Sequence, residues 1–213
     1  MKIKHWMTSN PITVKPSTLV VEASKLMKEH GVRRLPVVEK GKVVGMLTHR
    51  NIMEASPSAA TSLSVHELNY IIANLKVSEV MSKDPLCVSP EDSVMDVVLL
   101  GQQKGIGSFP VVERGRLVGI VTETEIYRAF VALLGHGEED EQVISLENVR
   151  LMERVGAMSR IAGIIEQLNV PVLGIFSLPQ RRHAGRRLFI RVVTKDKAGV
   201  EKALVDNGYK LTD

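Results

Sequence analysis

Within the first 130 positions the chain changes its hydrophobic rhythm several times over about 50 residues and then starts over, a length too small to cover both faces of a sheet by itself. Residues 12–14 read as a short extended segment. Leu19, Ala23, Leu26 and Met27 then step at helical spacing, and Gly31 follows as the residue that ends such a helix in the left-handed conformation. Two apolar runs, 35–38 and 43–47, are separated by Glu39-Lys40-Gly41-Lys42, which predicts a β-hairpin with a glycine in its turn. A second helix starts after Thr48. The predicted order is strand, helix, strand, strand, helix.

The same order returns downstream. Residues 7–53 align without a gap, at an offset of 74, to residues 81–127, with 16 of 47 positions identical. Met7/Met81, Pro11/Pro85, Gly31/Gly105, Pro36/Pro110, Gly41/Gly115, Gly45/Gly119 and Thr48/Thr122 all recur. Turn residues and core residues are thus kept together, which predicts two equivalent half-modules packed about a pseudo-twofold axis. Between them lies ASPSAATSLSVHELNYIIANL, a polar stretch leading into a helix whose Ser64 and Glu67 form a capping box and whose Leu68, Ile71, Ile72 and Leu75 share one face.

The element order, the Pro-Val-Val strand, the glycine-bounded hairpin and the segment Gly-x-x-Thr-x-x-Asn/Glu resemble a pair of cystathionine-beta-synthase (CBS) domains, the Bateman module. The expected fold class is α/β (α+β), with one CBS domain over 1–56, a linker and helix over 57–77, and a second CBS domain over 78–134. The insert, together with a C-terminal extension, resembles the acetoin-utilisation (AcuB-like) family.

The extension begins after GHGEEDEQ, residues 135–142, two glycines among four acidic residues that read as a solvated hinge. Residues 143–154 read as a strand. Ile161, Ile164, Ile165 and Leu168 mark a helix over 157–168, and 170–178 is an apolar strand. A strand over 188–193, a helix over 197–207 ended by Gly208, and a segment 209–211 complete a ferredoxin-like βαββαβ order over 143–213. With Gly156 opening the first helix, this unit is similar to an ACT domain, a ligand-sensing module of amino-acid metabolism. That resemblance implies a ligand loop at Gly156, Ala157 and Met158. The family's usual proline before the glycine is replaced by Val155, and the glycine alone is equally compatible with a tight strand-to-helix turn.

Composition narrows the function classes. Aromatics are 4%, which argues against stacking platforms for single-stranded nucleic acid. Cys87 is the only cysteine and the six histidines are scattered, so neither an intramolecular disulfide nor a metal-ligand motif is expected, and a reducing, cytoplasmic setting is. No signal-peptide pattern and no membrane span is expected either. The formal net charge of +4 is unevenly spread: residues 142–213 hold 12 basic and 7 acidic side chains. Much of the excess is the stretch QRRHAGRR over 180–187, compatible with phosphate contacts or with a solvated hairpin tip.

The candidate chemistry sits where strand becomes helix. A threonine at such a boundary, Thr48 or Thr122, presents a hydroxyl beside unpaired backbone N–H groups, a setting that favours phosphate. Three residues on, Asn51 and Glu125 stand where the CBS resemblance has Asp accepting from a ribose. Thr122-x-x-Glu125 is equally a capping box that needs no ligand. Arg33 and Arg34, just before Leu35-Pro36, carry charge for a phosphate in the first copy, whereas Gly107 and Ser108 hold the equivalent places in the second.

The resemblance implies a nucleotide cleft along Ile12, Thr13, Arg33, Arg34, Leu35, Pro36, Thr48, Arg50 and Asn51, with Leu86, Cys87, Ser108, Phe109, Pro110, Thr122 and Glu125 from the second copy. Its ligand would be an adenosine-containing small molecule, AMP, ADP, ATP or S-adenosylmethionine, acting as a regulatory ligand with no required cofactor. A homodimer and a regulated metabolic enzyme as partner are implied in the same way. No catalytic motif is present: there is no phosphate-binding glycine loop and no His-Glu-x-x-His segment. The expectation is therefore a non-catalytic regulator, with a nucleic-acid-binding protein using the basic tip, or a purely structural oligomerisation module, as the rivals.

Overall fold

Local signals place the elements. In a computed structural model that describes residues 1–55, 70, 72–134, 140–151, 155–180 and 185–212, the chain falls into two units, Met1–Ala129 and Phe130–Asp213. The first half-module contains a 3-10 turn at Ile3–His5, β1 (Thr8–Ser9), α1 (Val20–Glu29), β2 (Arg34–Glu39), β3 (Lys42–Thr48) and α2 (His49–Ala55). The second contains α3 (Val77–Val80), β4 (Ser82–Lys83), α4 (Val94–Lys104), β5 (Ser108–Glu113), β6 (Arg116–Thr122) and α5 (Glu123–Leu134).

The Ser93 hydroxyl accepts from the Met95 amide to start α4, and Gly31 and Gly105, both at positive φ, follow α1 and α4 as expected. The hairpins turn on two residues each. Lys40 and Gly41 have φ of 49° and 80°, Arg114 and Gly115 of 49° and 77°, the paired left-handed geometry whose twist matches the strands it joins. The extended segment at 12–14 docks through Val14, which runs parallel to Val37, as Val88 does to Val111. Of the predicted insert helix, Tyr70 and residues 72–74 are helical; Ser64, Glu67, Leu68 and Ile71 lie outside the described residues.

The half-modules exchange their leading segments. One sheet has the order β1-β6-β5 and the other β2-β3-β4, so each hairpin is completed by a strand from the opposite half. Thr8 faces Ile120 in one sheet, and its counterpart Ser82 faces Met46 in the other. Backbone bonds repeat the trade. Ile3 and Lys4 donate to Asp92 and Pro90, while Val77 and Ser78 donate to Thr18 and Pro16. Ile3, fully buried, belongs to the core of Val94, Val97, Phe109, Val111 and Val121; Val77 belongs to that of Ala23, Met27, Leu35, Val37 and Leu47.

The second unit contains β7 (Glu141–Val149), α6 (Ala157–Glu166), β8 (Val172–Pro179), β9 (Arg186–Val193), α7 (Lys197–Asp206) and β10 (Lys210–Leu211). Its sheet is antiparallel throughout with order β10-β7-β9-β8, the ferredoxin-like arrangement. Ile144, Leu146, Leu188, Ile190 and Val192 from the sheet meet Ile161, Ile165, Val200 and Leu204 from the helices. The first strand ends at Val149, short of the expected 154, and carries a bulge before its end, where Asn148 has φ 55° and the register shifts between Leu146 and Val149. Residues 135–139 of the acidic stretch, Arg154, and residues 181–184 of the basic tip lie outside the described residues. Among the described residues no helix is long and apolar enough to cross a membrane, and no cluster of His, Cys, Asp or Glu could hold a metal ion.

Candidate functional site

Both strand-to-helix junctions are built on a glycine three residues before the threonine. A side chain at Gly45 would collide with the Met81 side chain, and one at Gly119 with that of Met7. The recurring glycine therefore makes room for the methionine of the exchanged segment. The signal was present in the repeat, where Met7/Met81 and Gly45/Gly119 are kept together, but pairing them needed the exchange.

At the first junction Asn51 Oδ1 accepts from both the Thr48 amide, at 3.0 Å, and the Thr48 hydroxyl, at 2.7 Å, while the Asn51 amide donates to Thr48 Oγ1 at 3.1 Å. The His49 amide donates to the Arg33 carbonyl. At the second, Glu125 Oε2 accepts from the Thr122 amide and hydroxyl, and Oε1 accepts from Thr8 Oγ1 at 3.1 Å. Glu125 is buried. In both copies the fourth residue of the motif thus caps its own helix, and Glu125 also ties down the exchanged strand. A ribose at Glu125 would have to displace these internal bonds.

The two adjacent arginines of the first copy face different surroundings. Arg33 is exposed, and Arg34 reaches across to the second half-module, its Nη2 lying 3.4 Å from Glu123 Oε2. A Cβ at Gly107 would lie 2.8 Å from the Glu123 carboxyl carbon and 3.0 Å from Arg34 Nη2. The missing side chain at Gly107 is what lets the two groups meet over the backbone. Glu123 was not singled out from the sequence; the only hint was an acid at the offset position of His49, opposite an unpaired basic dipeptide.

The remaining predicted residues divide by depth. Leu35 and Phe109 are core side chains, and Pro36, Ser108 and Pro110 are buried. Arg50 points along α2 to Glu54, at 2.6 Å, and its guanidinium is held more firmly protonated by that hydrogen bond and charge. Ile12 is half-buried; Thr13 is exposed and lines a cavity of about 420 Å³ with Lys15, Thr18, Leu26 and Val38. Leu86 and Cys87 are exposed. Although the residue is exposed, desolvation of its sulfur raises the Cys87 thiol above its ordinary value, which disfavours the thiolate that a nucleophile needs.

In the second unit Gly156 caps α6 at φ 80° with no side-chain hydrogen bond, Ala157 is buried and Met158 is partly exposed. Ala157 borders a cavity of about 430 Å³ shared with Glu147, Arg150, Arg160, Tyr209 and Lys210, whereas Gly156 and Met158 do not line it.

With the paired half-modules and their junctions placed, similarity to known proteins can be read. The CBS domain pattern matches residues 3–58 and 77–132, just over half of the chain. The chain belongs to the CBS domain family. It is 36% identical over 119 residues to the CBS domain-containing protein YhcV of Bacillus subtilis, covering 56% of this chain and 78% of that protein. It is 34% identical over 127 residues to the inosine-5'-monophosphate dehydrogenase of Korarchaeum cryptofilum, covering 59% of this chain but only 24% of that enzyme.

Among solved structures the CBS pair is similar to a protein of Vibrio cholerae assigned to acetoin utilization (AcuB), with a TM-score of 0.53 and 26% identity over 63% of this chain and 93% of that one. It is similar to the CBS pair of protein MJ0100 in complex with 5'-methylthioadenosine and S-adenosyl-L-methionine, with a TM-score of 0.52 and 27% identity over 62% and 98%. CBSX2 in complex with AMP gives a TM-score of 0.52 and 27% identity over 62% and 97%.

Proposed function

We propose that this chain is a non-catalytic regulator whose CBS pair binds an adenosine-containing small molecule, such as AMP, ADP, ATP or S-adenosylmethionine, in the cleft of the first half-module. The observation that carries the reading is Arg33-Arg34 at the entry to β2, where Arg34 pairs across the hairpin with Thr48, in a pair whose relatives include complexes with AMP and with S-adenosylmethionine. Ile12 and Thr13 flank the adenine, Arg33 and Arg34 neutralise the phosphate, and the Thr48 hydroxyl orients it, exchanging its bond to Asn51 for one to the ligand. The second cleft, along Leu86, Cys87 and Thr122, lacks such charge and has its acid engaged, so it takes at most an uncharged nucleoside.

Ligand preference between two arrangements of the pair is the signal, and its reach is limited by the difference in affinity for the two. The ferredoxin-like unit acts as an ACT-like receiver, with Gly156, Ala157 and Met158 as its ligand loop, and the output is a regulated metabolic enzyme in a role like that of the acetoin-utilisation proteins. A homodimer is supported by the exposed stripe Tyr127, Phe130 and Val131 on α5.

A thermal-shift panel of AMP, ADP, ATP, adenosine, 5'-methylthioadenosine and S-adenosylmethionine tests the core of this reading. A ligand at 100 times Kd stabilises the fold by about 2.7 kcal/mol, a readily measured rise in Tm. No rise with any of the six rejects it. Binding of a mixed-sequence oligonucleotide that disappears with added salt, in place of nucleotide binding, points instead to the basic tip.

A further inference from the structure

We infer that Glu123 is a charge-selective latch on the first-copy cleft, holding Arg34 against the second half-module so that an anionic ligand has to displace it while an uncharged nucleoside does not. The inference rests on the nucleotide-binding reading and adds to it the residue that grades ligands by charge. Among the described residues, Glu123 is the ion-pair partner of Arg34, at 3.4 Å, and Arg33 beside it makes no ion pair. The Arg34 side chain is 30% exposed and that of Glu123 56%. Such a long, half-wet pair is weak enough to be broken by a phosphate, which offers more charge and more acceptors than one carboxylate oxygen.

The geometry is specific to one side of the pair. Gly107, whose carbonyl also accepts the Glu123 amide at 3.2 Å, stands where the first copy has Arg33. Its bare α-carbon is the floor on which guanidinium and carboxylate meet. At the positions related by the offset of 74, Glu123 becomes His49 and Arg34 becomes Ser108, so the mirror location has neither charge of the latch. One cleft has a cation with a competing internal anion; the other has no counterpart.

The test uses the full chain and two probes, AMP and adenosine, with affinities from titration calorimetry. Glu123→Gln removes the competing charge from a half-exposed surface position and is expected to tighten AMP about two- to ten-fold while leaving adenosine within two-fold. Gly107→Ala changes no charge but pushes the two groups apart, and is expected to shift AMP in the same direction. Arg34→Ala weakens AMP more than adenosine and makes a further Glu123→Gln change silent. If Arg34→Ala weakens AMP but neither Glu123→Gln nor Gly107→Ala alters it, the latch is wrong and the nucleotide reading stands. Binding of neither probe to the wild-type chain overturns both.

Discussion

Glu125 makes the cap bonds its spacing from Thr122 allows and one more across the exchange. Its two carboxylate oxygens close the start of α5 through Thr122 and hold Thr8 of the exchanged strand, with Arg128 at 3.7 Å. Truncation leaves three donors without their acceptor, so Glu125→Ala is expected to lower unfolding stability by about 1–3 kcal/mol in urea titrations, more than Asn51→Ala, which frees only the local cap. A second residue-level expectation concerns pH. Glu91 is exposed, yet it receives the ammonium groups of both Lys2 and Lys4, whose hydrogen bonds bring its carboxyl from 4.5 down to about 2. Because the folded value is the depressed one, the clamp is complete above about pH 4.5 and is lost as pH falls through about 2. Carboxyl titration by NMR should show that low midpoint, and a Lys2→Ala/Lys4→Ala chain should return it to the ordinary range.

At the scale of elements, the hairpins were legible because two residues at positive φ with a glycine second leave few alternatives, and α1 and α4 because helical spacing and a terminal glycine agreed. The exchange was not legible. β1 and β4 are two residues long, too short for any alternation to declare a partner, and their pairing is decided by Met7 and Met81 seating over glycines of the opposite half. The junction residues were legible, with Thr48 and Thr122 at the strand-to-helix boundaries, while the bonds they make to Asn51 and Glu125 are ones that spacing alone leaves open. The exchange makes a directional prediction. Ile3→Ala empties a core position in the second half-module and should cost about 2–5 kcal/mol. In hydrogen exchange, the lost protection should appear in β5 and β6 rather than in the neighbouring α1.

For the whole molecule, a CBS pair and a ferredoxin-like unit sit on one chain, and residues 142–213 form its basic stretch, with 12 basic and 7 acidic side chains. The ferredoxin-like topology was readable from the order of periodicities, and the structure moves the ends of elements, as where β7 stops at Val149. What it adds is surface. Tyr127 is 66% and Phe130 56% exposed on α5, and Met95 and Leu99 form a second outward stripe on α4. If these stripes seal a homodimer, Phe130→Glu should halve the mass seen by light scattering at micromolar concentration, with the far-ultraviolet circular dichroism of the chain unchanged.

The traded segments also constrain how such a chain could have arisen and how it can be taken apart. Neither half is self-sufficient: each keeps the other's missing edge, like two hands clasped by crossed fingers. A single-length ancestor would have needed to meet a twin before its own sheet was whole. Severing the backbone between residues 55 and 72 should therefore leave two fragments that stay associated, and the half-module in either fragment made alone should fail to fold until its complement is supplied.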